Sequence, residues 1–549
     1  MPNASIQAEM NSKWINNKPP SNAGSSCAMP GGSAGHFECD GCTVDVVTNS
    51  YAGPWCYCRT PVRGYNHTQY CLAPLQVPEQ VNLQVADAES VVASFVTRES
   101  SVPTSGEPPV AYFGDNKDKL TLVKGVTHHY KKLSKDEGIS YSLHFIKFSG
   151  LKAGKKYFYK VRSASSSFSQ LFSFRGIDTK QPKFAIYGDM GHSKHNAMAN
   201  LRHDCANGDI DFIVHMGDHA YDLGGAGDKR GDAYMNVYQG TLSQCPWIPI
   251  IGNHEANDGD HYERYINMTF GETLGTDDIR STATSVLGDF LSKATLFGLG
   301  FNSKVPSKTS RYFSLTLGLI HIVGLDLNNL DDGQLQWLEK DLASVNRAES
   351  PWIFASSHFP MYHPLMQANL NASSTFFLGD GHEKFSTSGH DFVSLMCTAA
   401  NSKEVCNDKP VGDWLNTQQS KLLPLLKRYG VDVYDAGHVH DYASTWPICN
   451  GDICKDSSGK AIKSYENPKG TVHITEGNGG VPGVAGSNSL KGCASSVAEW
   501  CRVHGTGGAY GRIMVYNDTH LQYSHIENPT SKVTDSFVIK QMKHGPFAE

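Results

Sequence analysis

The feature that most constrains the fold is a series of short, continuously apolar runs between about residues 179 and 530. The runs are "FAIYGD", "FIVHMGD", "WIPIIGN", "IHIVGLD", "WIFASSH", "VDVYDAGH" and "VHITEGN", and helical patterns such as "DGQLQWLEKDLASV" lie between them. Strands that are apolar at every position, and not at every second one, are typical of parallel sheets buried on both faces. The pattern therefore predicts an α/β layered domain over residues 179–530.

Residues 76–178 have a different texture, with short alternating segments such as "SVVASFVTR" and "SYSLHFIKFSGL" separated by turn residues. Regularly spaced short strands of this kind predict a β-sandwich. In "LKAGKKYFYKV", Tyr157 stands six residues after Leu151, at the start of a strand. This placement resembles the tyrosine corner of fibronectin type III domains, and we expect a packing role for this domain.

For the two ends of the chain, the predictions rest on amino-acid composition. Residues 1–75 hold six of the 14 cysteines and are rich in Gly, Ser and Pro, so we expect a segment stapled by disulfides. Residues 531–549 are expected to form a polar tail. Among the later cysteines, Cys449 with Cys454 and Cys493 with Cys501 are candidate local pairs.

Cysteine usage and glycosylation sequons indicate an oxidising compartment. The chain has an even number of cysteines. The Asn-x-Ser/Thr sequons lie at Asn3, Asn66, Asn267, Asn371 and Asn517. We expect a secreted, extracellular or vacuolar-lysosomal protein whose signal peptide is absent from this chain. A cytosolic protein with free thiols is the alternative.

Charge and hydropathy argue against two classes of partner. The formal net charge is -6 and no long basic run occurs, so we expect no nucleic acid partner. No apolar stretch approaches the roughly 20 residues that a membrane span requires, and the C-terminal "QMKHGPFAE" is polar, so we expect no membrane anchor. Oligomeric state is left open.

Polar residues collect where the predicted strands end. They are Asp189, Asp218, Tyr221, Asn253, His254, His358, His438 and His440, and four of the five strand ends carry glycine just before a polar residue or pair. In open α/β sheets ligands bind beyond the carboxyl ends of the strands. One metal cannot use so many donors, but two metals that share a carboxylate can, and paired metals hydrolyse phosphate esters. Carboxylate, amide and imidazole donors suit Zn, Fe or Mn.

The ordered motifs GDxG, GDxxY, GNHE, xxxH and GHxH resemble those of the purple acid phosphatases, within the metallophosphoesterase superfamily. The resemblance extends over about residues 76–530 and includes the fibronectin-like domain of the plant-type members. It implies a four-layer α/β/β/α metallophosphoesterase sandwich, preceded by the fibronectin III-like β-sandwich and the Cys-rich segment. It also implies an acid phosphatase that acts on a small phosphorylated substrate.

The resemblance further implies a ligand set for two metals. A ferric ion would be held by Asp189, Asp218, Tyr221 and His440, and a divalent Zn, Fe or Mn ion by Asp218, Asn253, His358 and His438. Asp218 would bridge the two ions.

Tyr221 distinguishes this chain within the superfamily. Most members carry Asp-x-His in the first motif, but here Gly191 stands at the histidine position. A phenolate is a hard anionic donor for a trivalent ion, and a metal stabilises the charged form of a phenol. The resemblance therefore implies Fe(III), with tyrosinate-to-iron charge transfer giving a purple colour.

The expected reaction is hydrolysis of a phosphate monoester by a metal-activated hydroxide that attacks phosphorus in line. His254 and His363 are the candidates for phosphate contact and leaving-group protonation. The long polar segments at about 271–311 and 365–410 are expected to set specificity. A phosphodiesterase or nucleotide pyrophosphatase on the same site is the alternative. A non-enzymatic binding protein that works through its Cys-rich segment is disfavoured because every expected ligand is present.

Overall fold

The computed structural model describes most of the chain from residue 78 onward. The described ranges are 78–99, 107–131, 140–164, 166–191, 196–221, 223, 229–257, 311–364, 411–480, 490–493, 498–528 and 530–547, with the backbone of five short strands before residue 70. Those strands are β1 Ser25–Ala28, β2 His36–Cys39, β3 Thr43–Asn49, β4 Gly53–Val62 and β5 Tyr65–Gln69, and they form antiparallel sheets β1-β2 and β3-β4-β5. The predicted disulfides of this segment lie outside the described side chains.

A β-sandwich follows, as the alternating segments predict. Its strands are β6 Glu79–Asp87, β7 Ser90–Glu99, β8 Val110–Gly114, β9 Thr121–Lys124, β10 Val126–Lys131, β11 Ser140–Ser149, β12 Lys156–Arg162 and β13 Phe172–Arg175. One sheet has the order β10-β11-β7-β6 and the other β13-β12-β8-β9. Between them Phe148, Tyr159 and Phe174 pack in an aromatic core. The hydroxyl of Tyr157 accepts a hydrogen bond from the Lys152 amide at 2.9 Å, as a tyrosine corner requires.

Two further sheets carry the polar strand ends. The first contains β14 Lys183–Tyr187, β15 Phe212–Met216, β16 Trp247–Ile250, β27 Ala509–Val515, β28 His520–Glu527 and β29 Val533–Lys540, in the order β16-β15-β14-β27-β28-β29. The second contains β17 Phe313–Leu317, β18 Ile320–Leu325, β19 Trp352–Ser357, β20 Val433–Ala436, β21 Tyr442–Thr445, β24 Val472–Glu476, β25 Lys491–Gly492 and β26 Cys501–Gly505, in the order β17-β18-β19-β20-β24-β21-β26-β25. Strands β14 to β16 are parallel, as are β18, β19, β20 and β24. A small hairpin, β22 Ile448–Cys449 and β23 Asp452–Ile453, lies apart.

Helices pack on the outer faces of both sheets. They are α1 Met198–Asn207, α2 Lys229–Leu242, α3 Asn253–Asn257, α4 Asp332–Ser344 and α5 Val411–Tyr429, with a 3-10 turn at Leu327–Asn329. The helix α4 begins at its cap, Asp331, whose side chain accepts a hydrogen bond from the Gln334 amide at 2.7 Å. No helix among the described residues has the length and apolar character that crossing a membrane requires.

Three apolar cores explain why the parallel strands are apolar at every position. In β15, Ile213 packs into the core under α1 and α2, whereas the next residue, Val214, packs into the core between the two sheets. In β19, Phe354 joins the core between the sheets and Ile353 joins the core under α4 and α5. Each fully buried aliphatic side chain contributes about 1.5–3 kcal/mol, so apolar residues are favoured on both faces of these strands.

The sandwich and the first sheet are joined by strand pairing. β6 pairs with β16 in parallel at Gln84 and Trp247, so one ten-stranded sheet runs from β10 to β29. The hydroxyl of Tyr159 also donates to the Ser243 carbonyl at 2.7 Å. The sheet therefore crosses the boundary predicted at residues 178–179, and no sequence pattern indicated this pairing.

Three disulfides lie within the described residues. Cys449–Cys454 and Cys493–Cys501 are the two pairs predicted from spacing. Cys205–Cys245 was not predicted, and it ties the end of α1 to the segment after α2. Their presence indicates an oxidising compartment.

Candidate metal centre

The loops after the parallel strands meet at one edge of the two sheets. They can approach closely because their turns contain glycine. A Cβ on Gly217 would lie 2.6 Å from the Gly252 Cα, and a Cβ on Gly252 would lie 2.3 Å from Oδ1 of Asp218. A Cβ on Gly437 would lie 2.6 Å from Oδ2 of Asp189. The glycines that precede the polar residues therefore allow the loops to converge.

Four of the predicted ligands have left-handed backbone conformations. Their φ angles are 63° at Asp189, 56° at Asp218, 52° at Tyr221 and 67° at His438. Non-glycine residues adopt such angles at a cost of about 1–3 kcal/mol each, and they cluster at functional sites. The turns thus aim these side chains at a common point at the expense of stability.

One half of the cluster is built around the phenol of Tyr221. Its hydroxyl donates to Oδ1 of Asp189 at 3.0 Å and lies 2.9 Å from Nε2 of His440. Nε2 of His440 is 3.3 Å from the same Asp189 oxygen. The other oxygen of Asp189 accepts a hydrogen bond from the His438 amide at 2.6 Å. These three side chains present two oxygen donors and one nitrogen donor to one point.

The other half is built around the amide oxygen of Asn253. Oδ1 of Asn253 lies 2.8 Å from Nε2 of His358 and 3.1 Å from Nδ1 of His438. Oδ1 of Asp218 is 3.3 Å from Nε2 of His358. The donor atoms of Asp218, His358 and His438 all lie within 4.8 Å of one another. This group has the spacing of a single cation site.

The imidazole of His358 is oriented by a backbone carbonyl. Its Nδ1 lies 2.7 Å from the carbonyl oxygen of Met216, which can only accept, so Nδ1 carries a hydrogen. Nε2 is thereby turned towards Asn253 and His438, with Nδ1 of His438 only 3.2 Å away. Two imidazole nitrogens that face each other this closely need a proton or a cation between them. The donor set therefore fits a bound metal.

Buried charge explains how these groups hold their protons. Burial opposes ionisation of Asp218, but the imidazoles of His358 and His254 keep its pKa well below the ordinary value. Burial would lower the pKa of His358, yet the Asp218 carboxylate raises it to about 9. Burial and the neighbouring His358 lower the pKa of His438. A positive charge on this cluster is thus favoured, and a metal ion would supply it.

The phenol of Tyr221 retains its proton while no cation is nearby. Burial raises its pKa well above the ordinary value, and the carboxylates of Asp189 and Asp218 raise it further. A multivalent cation between Tyr221 and Asp189 would displace that proton, because it stabilises the phenolate.

The two residues that follow Asn253 contact Asp218 in different ways. The ring of His254 packs edge-on against Tyr221 at 4.8 Å, and its Nε2 is 3.8 Å from Oδ2 of Asp218. Glu255 is buried and accepts hydrogen bonds from the amides of Asp218, His219 and Gly252 at 2.7–2.8 Å. It therefore fixes the Asp218 loop to the Asn253 loop.

His363 is buried, whereas His254 is partly exposed. Burial together with the nearby imidazole of His504 lowers the pKa of His363 to about 3. An imidazole with this pKa is neutral at neutral and mildly acidic pH, so it holds no second proton to give to a leaving group.

Some predicted features fall elsewhere or outside the described residues. Asn517 is exposed at the turn before β28. The side chains of the other four sequons, and the segments 271–310 and 365–410, lie outside the described residues.

Two contributors to the site were not predicted from the sequence. They are the Met216 carbonyl, which leaves no side-chain signal, and Phe359, whose ring lies 4.6 Å from that of His438. The position of Phe359 directly after His358 was the available clue.

Comparison with known proteins identifies the class first. The calcineurin-like phosphoesterase model matches residues 182–442, which include all seven predicted metal ligands. The purple acid phosphatase N-terminal domain matches residues 78–176, and the iron/zinc purple acid phosphatase-like protein C model matches residues 470–536. The chain belongs to the purple acid phosphatase family.

Its relatives are named acid phosphatases. Human acid phosphatase type 7 is 27% identical over 494 residues, covering 88% of this chain and 95% of the relative. Purple acid phosphatase 15 of Arabidopsis thaliana is 26% identical over 435 residues, covering 73% of this chain and 68% of the relative. The structure of purple acid phosphatase PPD1 from yellow lupin seeds has the same fold, with a TM-score of 0.55, 17% identity, and coverage of 85% of this chain and 75% of that one.

Proposed function

We propose that this protein is a secreted acid phosphatase that hydrolyses small phosphate monoesters with a dinuclear Fe(III)–M(II) centre, where M is Zn, Fe or Mn. The observation that supports this most directly is the position of the Tyr221 hydroxyl between Asp189 and His440. A phenol in contact with both a carboxylate and an imidazole is a donor set for a hard trivalent ion. The family membership supports the reaction class.

The proposed ligand sets follow the two halves of the cluster. Asp189, Tyr221 and His440 would hold the ferric ion, Asn253, His358 and His438 would hold the divalent ion, and Asp218 would bridge them. When bound, the metals would supply an activated water and neutralise charge on the phosphoryl oxygens. The four-layer α/β/β/α arrangement belongs to the same proposal, supported by the three apolar cores.

The protein's own side chains would orient the substrate. His254 lies beside both Tyr221 and Asp218 and is only partly exposed, so its imidazole is placed to donate a hydrogen bond to a phosphoryl oxygen. Glu255 would keep the two ligand loops in register through its three backbone hydrogen bonds. His363 is retained as a neutral phosphate-contact candidate.

The proposal is tested by comparing hydrolysis of 4-nitrophenyl phosphate with that of bis(4-nitrophenyl) phosphate by the protein loaded with iron and a divalent metal. We expect a higher kcat/KM for the monoester and a visible absorption band from the ferric tyrosinate. A higher kcat/KM for the diester would favour the phosphodiesterase or nucleotide pyrophosphatase alternative. A colourless protein fully loaded with iron would contradict the assignment of Tyr221.

A further inference from the structure

A second pair of histidines, His363 and His504, has members that differ in exposure. His504 lies close enough to His363 to lower the pKa of that residue. The side chain of His504 is 28% exposed, whereas His363 is 1% exposed. Of the two imidazoles, only that of His504 has substantial access to solvent.

Topology places His504 at the same sheet edge as the metal ligands. His440 is followed directly by Asp441 and by β21, whose first residue, Tyr442, pairs with Gly505 at the end of β26. Strand β21 runs antiparallel to β24, so it starts at the edge where β24 ends. His504 is thus the penultimate residue of a strand that ends at this edge.

Asp441 connects His504 to the ligand loop. Its Oδ1 accepts a hydrogen bond from the Gly505 amide at 3.1 Å, and its Oδ2 lies 3.9 Å from Nδ1 of His504. The carboxyl is buried, and its own backbone carbonyl accepts from the Gly477 amide at 3.2 Å. Nδ1 of His504 is therefore the ring nitrogen that faces the Asp441 carboxyl, and Nε2 is turned away from it.

We propose that His504, positioned by Asp441, protonates the leaving group of the substrate, in place of His363; this rests on the proposed phosphatase function. As the bond between phosphorus and the ester oxygen breaks, its electron pair goes to that oxygen. The oxygen takes the proton from Nε2 of the doubly protonated imidazole, which keeps its Nδ1 proton, and departs as an alcohol. Attacking water supplies the new oxygen of phosphate, and His504 regains a proton from solvent.

The test uses two monoesters that differ in their need for this proton. Phenyl phosphate has a poor leaving group, whereas 4-nitrophenolate departs without protonation. In the full-length, metal-loaded protein we expect His504→Gln to lower kcat about 100-fold for phenyl phosphate and only about threefold for 4-nitrophenyl phosphate. KM should change little for either ester. Asp441→Asn should show a smaller loss with the same dependence on leaving group.

Two further variants separate this role from a structural one. Lys491→Gln alters an exposed cation directly across from His504 on β25, and it should show no dependence on leaving group. Equal losses on both esters in His504→Gln would overturn the proposal, as would a leaving-group dependence confined to His363→Gln. Absence of monoesterase activity in the loaded wild type would instead overturn the proposed function itself.

Discussion

The two sheets of the catalytic unit contribute different chemistry to the candidate centre. The loops of the first sheet supply every oxygen donor of the proposed ligand set: Asp189, Asp218, Tyr221 and Asn253. The loops of the second sheet supply every nitrogen donor: His358, His438 and His440. Each proposed metal draws on both sheets, so bound metals would link the sheets at their common edge. The number of oxygen donors, and the phenol among them, would distinguish the two ions.

The largest effect is expected where the two proposed ligand sets meet. Asp218→Asn removes the one carboxylate assigned to both ions, so we expect kcat for 4-nitrophenyl phosphate to fall by on the order of 10³-fold or more. Metal analysis should show that both ions bind less tightly. Retention of both metals with nearly full activity would refute the bridging role.

A change in the second sheet should weaken one ion only. His358→Ala removes a nitrogen donor of the divalent site, and we expect about 100-fold weaker binding of that metal while the visible band persists. Titration of the iron-loaded protein with Zn²⁺, followed by activity, measures this. Simultaneous loss of iron and colour would show that the two sites are not separable in this way.

The second sheet also contains a buried carboxyl, Asp435 in β20, whose pKa is raised by burial from 3.8 to about 7. Because the folded-state pKa lies above the unfolded one, the native state holds an extra proton between about pH 4 and 7. The stability contributed by this group therefore falls as pH rises through that window. Asp435→Asn should be more stable than wild type by roughly 4 kcal/mol at pH 7, with a smaller difference near pH 4.

Denaturant unfolding of both proteins at several pH values measures this difference. The exposed substitution Glu349→Gln provides a control of the same chemical type. A stability gain for Asp435→Asn that stayed constant from pH 4 to pH 7 would show that the effect does not come from ionisation.

The smallest effect on rate is expected at the phenol of the first sheet. Tyr221→Phe keeps the aromatic ring that packs against His254 and removes only the hydroxyl. We expect loss of the visible band with an activity loss of about tenfold and an unchanged fold by circular dichroism. A band that survives in the variant would assign the colour to another ligand.

The sequence predicted those parts of the fold that depend on local pattern. Continuous apolar runs identified β14, β15 and β16 because each buries both faces, and glycine before a polar residue marked the strand ends. The two predicted disulfides join cysteines separated by 5 and 8 residues. Such features are readable because the interacting residues are close in sequence.

The features that were missed depend on distant pairing. Cys205 and Cys245 are 40 residues apart, and the packing of α1 near α2 determines their contact. The pairing of β6 with β16 joins Gln84 to Trp247, and the proximity of His363 to His504 brings the loop after β19 close to β26. No periodicity encodes such contacts, because they arise when the sheets assemble. His363 was predicted as a proton donor because it is a histidine. Its burial lowers its pKa and leaves it uncharged, and the sequence does not show that burial.

The ten-stranded sheet limits how the β-sandwich can be separated from the phosphoesterase domain. If the sandwich were removed before β14, β16 would become an edge strand with unpaired backbone groups next to the ligand loop that begins at Asn253. Exposed edges of this kind template association with other chains. The side chain of Trp247 would also lose its hydrogen bond to Asn82. The sandwich therefore acts as an intramolecular edge cap, and an isolated phosphoesterase unit would be prone to self-association at the strand nearest its metal centre.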